Sequence, residues 1–197
     1  MTRIAIVYHS GYGHTKKQAE AVRAGAAELG DAELIAIDAE GNLPEGAWQS
    51  LEEADAIVFG TPTYMGMASW QFKKFADASS KPWFAQKWKD KVAAGFTNSA
   101  TINGDKGSTL AYLFTLAQQH GMIWVGTGML PSNSKAAQRN DLNWLGASVG
   151  AMAQSPSDAS PEEGPLPGDL ETARAFGRRV AGLTARFVQG AVAAEAA

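Results

Sequence analysis

Short apolar runs alternate with stretches of helical periodicity along the whole chain, and this alternation limits the possible folds more than any other feature. The first run, Ile4-Ala5-Ile6-Val7-Tyr8, is apolar without a break, as in a strand covered on both faces. In residues 16–29, Ala19, Val22, Ala26 and Leu29 share one face at helical spacing, and Gly30-Asp31 ends the pattern. The same reading predicts strands at 33–38, 56–60, 92–97 and 122–125, and helices at 69–79, 108–119 and 169–189. Ser50, with Glu53 three residues on, predicts a capped short helix before Ala54. Five strands, each followed by a helix or crossover, predict an α/β fold: a five-stranded parallel sheet with helices on both faces, a three-layer sandwich with right-handed crossovers.

Residues 126–168 are rich in Gly, Ser, Pro and Asn and have little periodicity. An irregular stretch of this length inside a compact domain has a function or covers something. No linker divides the chain into two cores, so the expected organisation is one domain over 1–197 with a long loop insertion at about 126–168. Met129, Leu130, Leu142, Trp144 and Leu145 make that insertion more apolar than an exposed loop needs, which predicts a homo-oligomer. The Ala-rich end, 191–197, is expected to fray.

Hydrophobic residues make up 45% of the chain and charged residues 19%, enough for a packed core. The net charge of −3, without a Lys/Arg stripe, argues against nucleic acid as a partner. Cysteine is absent, which excludes disulfides, thiolate catalysis, zinc ribbons and cysteine-held iron–sulfur clusters and fits a cytoplasmic location. The first apolar run is too short for a signal-peptide core, and no stretch approaches a membrane span, so no membrane insertion is expected.

The strongest chemical signal is the loop between the first strand and the first helix, Ser10-Gly11-Tyr12-Gly13-His14-Thr15. Its hydroxyls and two glycines can wrap tightly around an anion, and the first N–H groups of the following helix lack intrahelical partners and point the same way. Such a cradle holds a phosphate without an arginine. Lys16 stands where a dinucleotide fingerprint needs its third glycine, and no Gly-Lys-Ser/Thr occurs. Gly104-Asp105-Lys106-Gly107-Ser108 has the composition of a nucleotide P-loop in the wrong order. His9 and His14 flank the loop without carboxylate support, so no metal site is expected. Ser10 beside His9 lacks the Gly-x-Ser-x-Gly elbow of a hydrolase. Two further loops, Gly60-Thr61-Pro62-Thr63-Tyr64-Met65-Gly66-Met67 and Thr97-Asn98-Ser99-Ala100-Thr101-Ile102-Asn103-Gly104, follow the third and fourth strands at the same sheet edge, where open α/β sheets bind ligands.

Three stretches carry a resemblance: Val7 to Thr15, Ile57 to Gly66, and Leu116-Ala117-Gln118-Gln119-His120-Gly121-Met122. With them, and with a similar last helix, the chain resembles the flavodoxin-like NAD(P)H:quinone oxidoreductases of the WrbA type over nearly its whole length. The resemblance implies a flavodoxin-like fold that binds FMN, takes electrons from NADH or NADPH, and passes two at a time to a small-molecule quinone by a ping-pong mechanism. Ser10, Gly11, Tyr12, Gly13, His14 and Thr15 would hold the FMN phosphate. Pro62, Thr63, Tyr64 and Met65 would flank the isoalloxazine ring, and Asn98, Ser99, Ala100, Thr101, Ile102 and Asn103 would contact its polar edge. His120 would approach the flavin near its pyrimidine end, across a subunit boundary, as the one catalytic candidate. Trp83 would stand at the mouth of the site and Tyr12 would help seat the nicotinamide. The family's assembly implies a homodimer or homotetramer. The fourth-strand loop departs from the family's glycine-rich form: Ala100 and Ile102 add bulk beside the ring. The alternative from another class is a flavodoxin-type carrier that passes single electrons to protein partners; such carriers tend to be strongly acidic, unlike this chain.

Overall fold

In the computed structural model, which describes residues 1–195 and the side chains of residues 1–190, a parallel sheet is sandwiched between two helical layers. The Ala-rich end expected to fray continues the last helix as far as Glu195, and residues 196–197 lie outside the described residues.

Strands β1 (Arg3–His9), β2 (Asp31–Ile37), β3 (Ala56–Tyr64) and β5 (Val92–Ser99) are the long strands of the sheet, separated by helices α1 (His14–Ala26), α2 (Ala47–Glu53), α3 (Trp70–Ala78) and α4 (Ser80–Phe84). A two-residue strand β4 (Met67–Ala68) folds back antiparallel on the end of β3. Helix α5 (Lys106–Gln119), strands β6 (Ile123–Trp124) and β7 (Ala151–Gln154), and helix α6 (Pro167–Glu195) complete the chain. The order across the sheet is β2-β1-β3-β5-β6, with β7 also on β5.

Alternation along β1 makes the sandwich. Ala5 and Val7 join Ile35, Ile57, Phe59, Phe72, Phe75, Trp88 and Leu113 in one buried layer under α2, α3 and α5. Ile4, Ile6 and Tyr8 point the other way, to Ala19, Val22, Val58, Phe96, Phe176 and Val180 under α1 and α6. Successive strand side chains face opposite sides, so an unbroken apolar run feeds two cores at once. Helices α1 and α6 meet at glycines: a Cβ on Gly177 would be driven into the Val22 carbonyl, and one on Gly25 into the Arg174 carbonyl.

The fifth strand differs from the expectation at 122–125. It is split: β6 pairs with Val92 and Ala93, and β7, inside the stretch read as irregular, pairs with Phe96 to Ser99. Between them the chain makes an ordered excursion, where the Thr127 N–H donates to the Ser148 carbonyl at 2.9 Å and the Asn143 side chain bonds Met129 and Ala147. The Ser50–Glu53 cap is not formed. Helix α2 starts earlier, after Gly46 at a φ of 78°, and the Glu53 carboxylate instead pairs with Arg3 at 2.7 Å.

Candidate functional site

The carboxyl ends of β1, β3 and β5 bring the three expected loops to one edge of the sheet, around a cleft of about 500 Å³. Tyr12, His14 and Thr15 line it from the first loop, Pro62, Thr63 and Tyr64 from the second, and Asn98, Ser99 and Ala100 from the third. That volume is ordinary for a small-molecule or cofactor pocket.

In the first loop Gly13 takes a left-handed φ of 89° and leads into α1. The Ser10 hydroxyl accepts from the N–H groups of Gly13 and Lys16, each at 3.1 Å, so it shapes the loop from within. Among the described residues no acceptor meets the N–H groups of Tyr12, His14 and Thr15, nor does the Thr15 hydroxyl have a partner, although Thr15 is buried. These donors converge at the positive end of a helix dipole. Gly13 is required by its φ, and both glycines stand close to neighbouring side chains. A Cβ on Gly11 would stand 2.6 Å from the Tyr64 hydroxyl oxygen, and one on Gly13 would stand 2.7 Å from the Pro161 ring. A donor set of bare amides and one hydroxyl, kept open by glycines, fits a phosphomonoester such as that of FMN.

Buried hydroxyls anchor the second and third loops to the sheet. Thr63 Oγ1 lies 2.9 Å from Thr97 Oγ1 and 2.8 Å from Thr109 Oγ1, which ties β3, β5 and α5 together beneath the cleft. Ser69 Oγ links His9 Nδ1 at 2.9 Å to Thr61 Oγ1 at 3.2 Å, and burial lowers the His9 pKa. The Tyr64 ring meets Tyr12 edge to face, with centroids 6.1 Å apart. Burial raises the Tyr64 pKa, the neighbouring Tyr12 adds to the rise, and the Gly11 N–H opposes it. Tyr12 itself is 75% exposed at the mouth, and Met65, at a φ of 47°, is fully exposed on the turn into β4. The side chains of Thr101, Ile102 and Asn103 are exposed beyond the cleft lining.

Sequence reasoning missed four residues here. Ser155, Ser157 and Ala159 complete the cleft from the segment after β7, and the His14 Nε2–H donates to the Ala159 carbonyl at 2.9 Å, which fastens that segment to the first loop. The length of the irregular stretch was the available signal. The fourth is Lys106, wholly buried behind the third loop.

Met65 does not line the cleft, and His120 and Trp83, expected at the site, are absent from it too. Asp90 N–H donates to the Gly121 carbonyl at 3.0 Å, which puts His120 beside the start of β5, whereas the cleft lies at its end. Seven residue rises of about 3.3 Å separate those ends by roughly 23 Å. The His120 ring is only 3% exposed and stacks on Trp88 with centroids 4.2 Å apart. The Ser79 hydroxyl donates to the Ala76 carbonyl, so His120 Nε2–H donates to Ser79 Oγ at 2.9 Å, and Nδ1 is a buried atom with no partner. His120 thus packs as a neutral core histidine within its own chain. Trp83, on α4, is half-exposed and does not line the cleft.

Protonating Nδ1 would bury an unpaired cation, and this burial pushes the His120 pKa down to about 4. Because the folded value lies below the unfolded one, the resulting stability is full above about pH 6.5 and is lost as pH falls, by about 3 kcal/mol at pH 4. His9, shifted the same way, adds to the slope. Urea midpoints measured across that range should fall with acidity, and His120→Gln should flatten part of the fall. A variant with the full wild-type slope would refute the assignment.

Among the described residues no group of His, Asp and Glu could hold a metal ion, and no helix is long and apolar enough to cross a membrane. The family model for NADPH-dependent FMN reductase matches residues 9–137. The chain is 56% identical over 181 residues to flavodoxin FldP of Pseudomonas aeruginosa, which covers 92% of this chain and 96% of that protein. It is 35% identical over 210 residues to an NAD(P)H dehydrogenase (quinone) of Geotalea uraniireducens, which covers 95% of this chain and 100% of the relative. The crystal structure of a flavodoxin, WrbA-like protein from Agrobacterium tumefaciens superposes with a TM-score of 0.77 at 53% identity, over 95% of this chain and 99% of the other. The open amides of the first loop, the three-loop cleft and these matches agree, and the chain belongs to the NADPH-dependent FMN reductase family, among its flavodoxin-like members of the WrbA type.

Proposed function

We propose that this protein is an FMN-dependent oxidoreductase that passes two electrons from NADH or NADPH to a quinone, both substrates using the same cleft in turn. The observation that carries the reading is the cleft's polarity: bare amides and a free hydroxyl at one end, and an open mouth with exposed Tyr12 at the other. Bound FMN supplies the two-electron chemistry, and the protein supplies binding and orientation.

Thr15 and the N–H groups of Tyr12, His14 and Thr15 would hold the phosphate. Pro62, Thr63 and Tyr64 would bound one side of the ring and Asn98 to Asn103 its polar edge. The segment from Ser155 to Ala159, fastened through His14, excludes water from the phosphate end. Tyr12 would offer its ring to a flat substrate. Within a single chain, no side chain at the cleft stands out as a general base. In solution the protein is a homodimer or homotetramer on this reading, supported by exposed Leu130 and Leu142 on the excursion between β6 and β7.

The second reading, a one-electron carrier, is favoured by the flavodoxin name of the 56% identical relative. One set of measurements separates them: steady-state oxidation of NADH and NADPH by the FMN-loaded protein with benzoquinone, its potentiometric titration, and light scattering of the same sample. Rapid turnover by an oligomer supports the enzyme. Two separate one-electron waves without turnover support the carrier and overturn the enzyme, and a monomer removes the assembly.

A further inference from the structure

Three successive carbonyls of the third loop are each held by a side chain. Gln154 Nε2 donates to the Ala100 carbonyl at 2.8 Å. The Lys106 ammonium donates to the Thr101 and Ile102 carbonyls, each at 2.7 Å, and to Ser99 Oγ at 2.8 Å. In a trans peptide the C=O of one residue and the N–H of the next point in opposite directions. The N–H groups of Ile102 and Asn103 therefore point away from Lys106, that of Thr101 points away from the Gln154 amide, and none has an acceptor among the described residues. Successive amides without partners offer donors to an electron-rich edge.

We propose that Lys106 is a positioning residue whose buried ammonium, by gathering the Thr101 and Ile102 carbonyls behind it, presents the Ile102 and Asn103 amides to the polar edge of the flavin. The proposal rests on the FMN reading above. All three ammonium donors are used and the side chain is wholly buried, so an uncharged amine, with two donors, leaves one acceptor unmet and frees the loop. The surroundings are also charged: Asp169, held bidentate by Arg139 at 2.7 and 2.8 Å, accepts from the Gln154 N–H at 2.9 Å, so one network braces both sides of the loop. Burial draws the Lys106 pKa down to about 8, Asp169 opposes that and Arg139 adds to it. The loop's anchor thus titrates just above neutrality.

The test is FMN affinity against pH, read by quenching of flavin fluorescence between about pH 7 and 9.5, above the second ionisation of the phosphate near 6. Riboflavin, which lacks the phosphate, is titrated in parallel. Wild-type affinity for both should fall three- to tenfold as pH rises through about 8. Lys106→Met should bind three- to tenfold more weakly at neutral pH with no such step. Lys106→Arg, always charged, should also show no step. If the wild-type profile is flat for both ligands, or if Lys106→Met keeps the step, the assignment is wrong while the cofactor reading stands. If wild type binds no FMN at any pH, both fall together. The wild-type profile decides the matter even if neither variant folds.

Discussion

Gly177→Val should lower the melting temperature by roughly 6–12 °C, because about 3 kcal/mol or more is lost where two helices touch backbone to backbone. Any side-chain carbon at Gly177 meets the Val22 carbonyl of α1, and the reciprocal contact of Gly25 with the Arg174 carbonyl keeps α6 from rolling aside. Valine is a slightly better helix former than glycine, worth only a few tenths of a kcal/mol, so crowding wins. The control is Gly107→Ala on α5, where nothing stands within 4 Å of the added carbon. There the helix propensity should raise stability by up to about 1 kcal/mol. Thermal unfolding of both variants checks the pair, and a loss below 2 °C at Gly177 would mean the helices separate without cost.

Thr15→Val should weaken FMN binding about 10- to 100-fold, the loss of one hydrogen bond to a charged group being worth about 1.5–3 kcal/mol. Thr15 sits in the first turn of α1, is 2% exposed, and has a hydroxyl with no partner of its own. Valine matches its volume and cannot donate, so the fold should be retained while the cradle loses a donor. Fluorescence titration measures the affinity, and the unfolding midpoint of the apoprotein verifies that the scaffold is intact. Undiminished affinity would mean that the anion lies elsewhere.

The parts of this molecule that were legible in its sequence are those that short-range patterns determine. Ile4, Ile6 and Tyr8 against Ala5 and Val7 announce a strand with two cores, and the glycines and hydroxyls of the first loop announce a tight turn into a helix with open amides, because both follow from local geometry. Strand β7 was not legible. Ala151-Met152-Ala153-Gln154 is strand only because β5 offers Phe96 to Ser99 as partners, a contact more than fifty residues distant in sequence. Lys106 was illegible for a similar reason. A lysine in a polar turn reads as solvated until Ser99, Thr101 and Ile102 converge on it. His120 misled in the other direction: a residue quoted for its resemblance to a reactive position packs on Trp88 and bonds Ser79.

The divided fifth strand also governs how this protein meets its neighbours. A border built from a two-residue and a four-residue piece, with an excursion of chain between them, offers no long row of open amides and carbonyls on which foreign backbone could align. The opposite border, β2, is longer but carries the exposed charges of Asp31 and Glu33. Accretion by sheet continuation is thus discouraged on both flanks, and self-association has to proceed through side-chain surfaces.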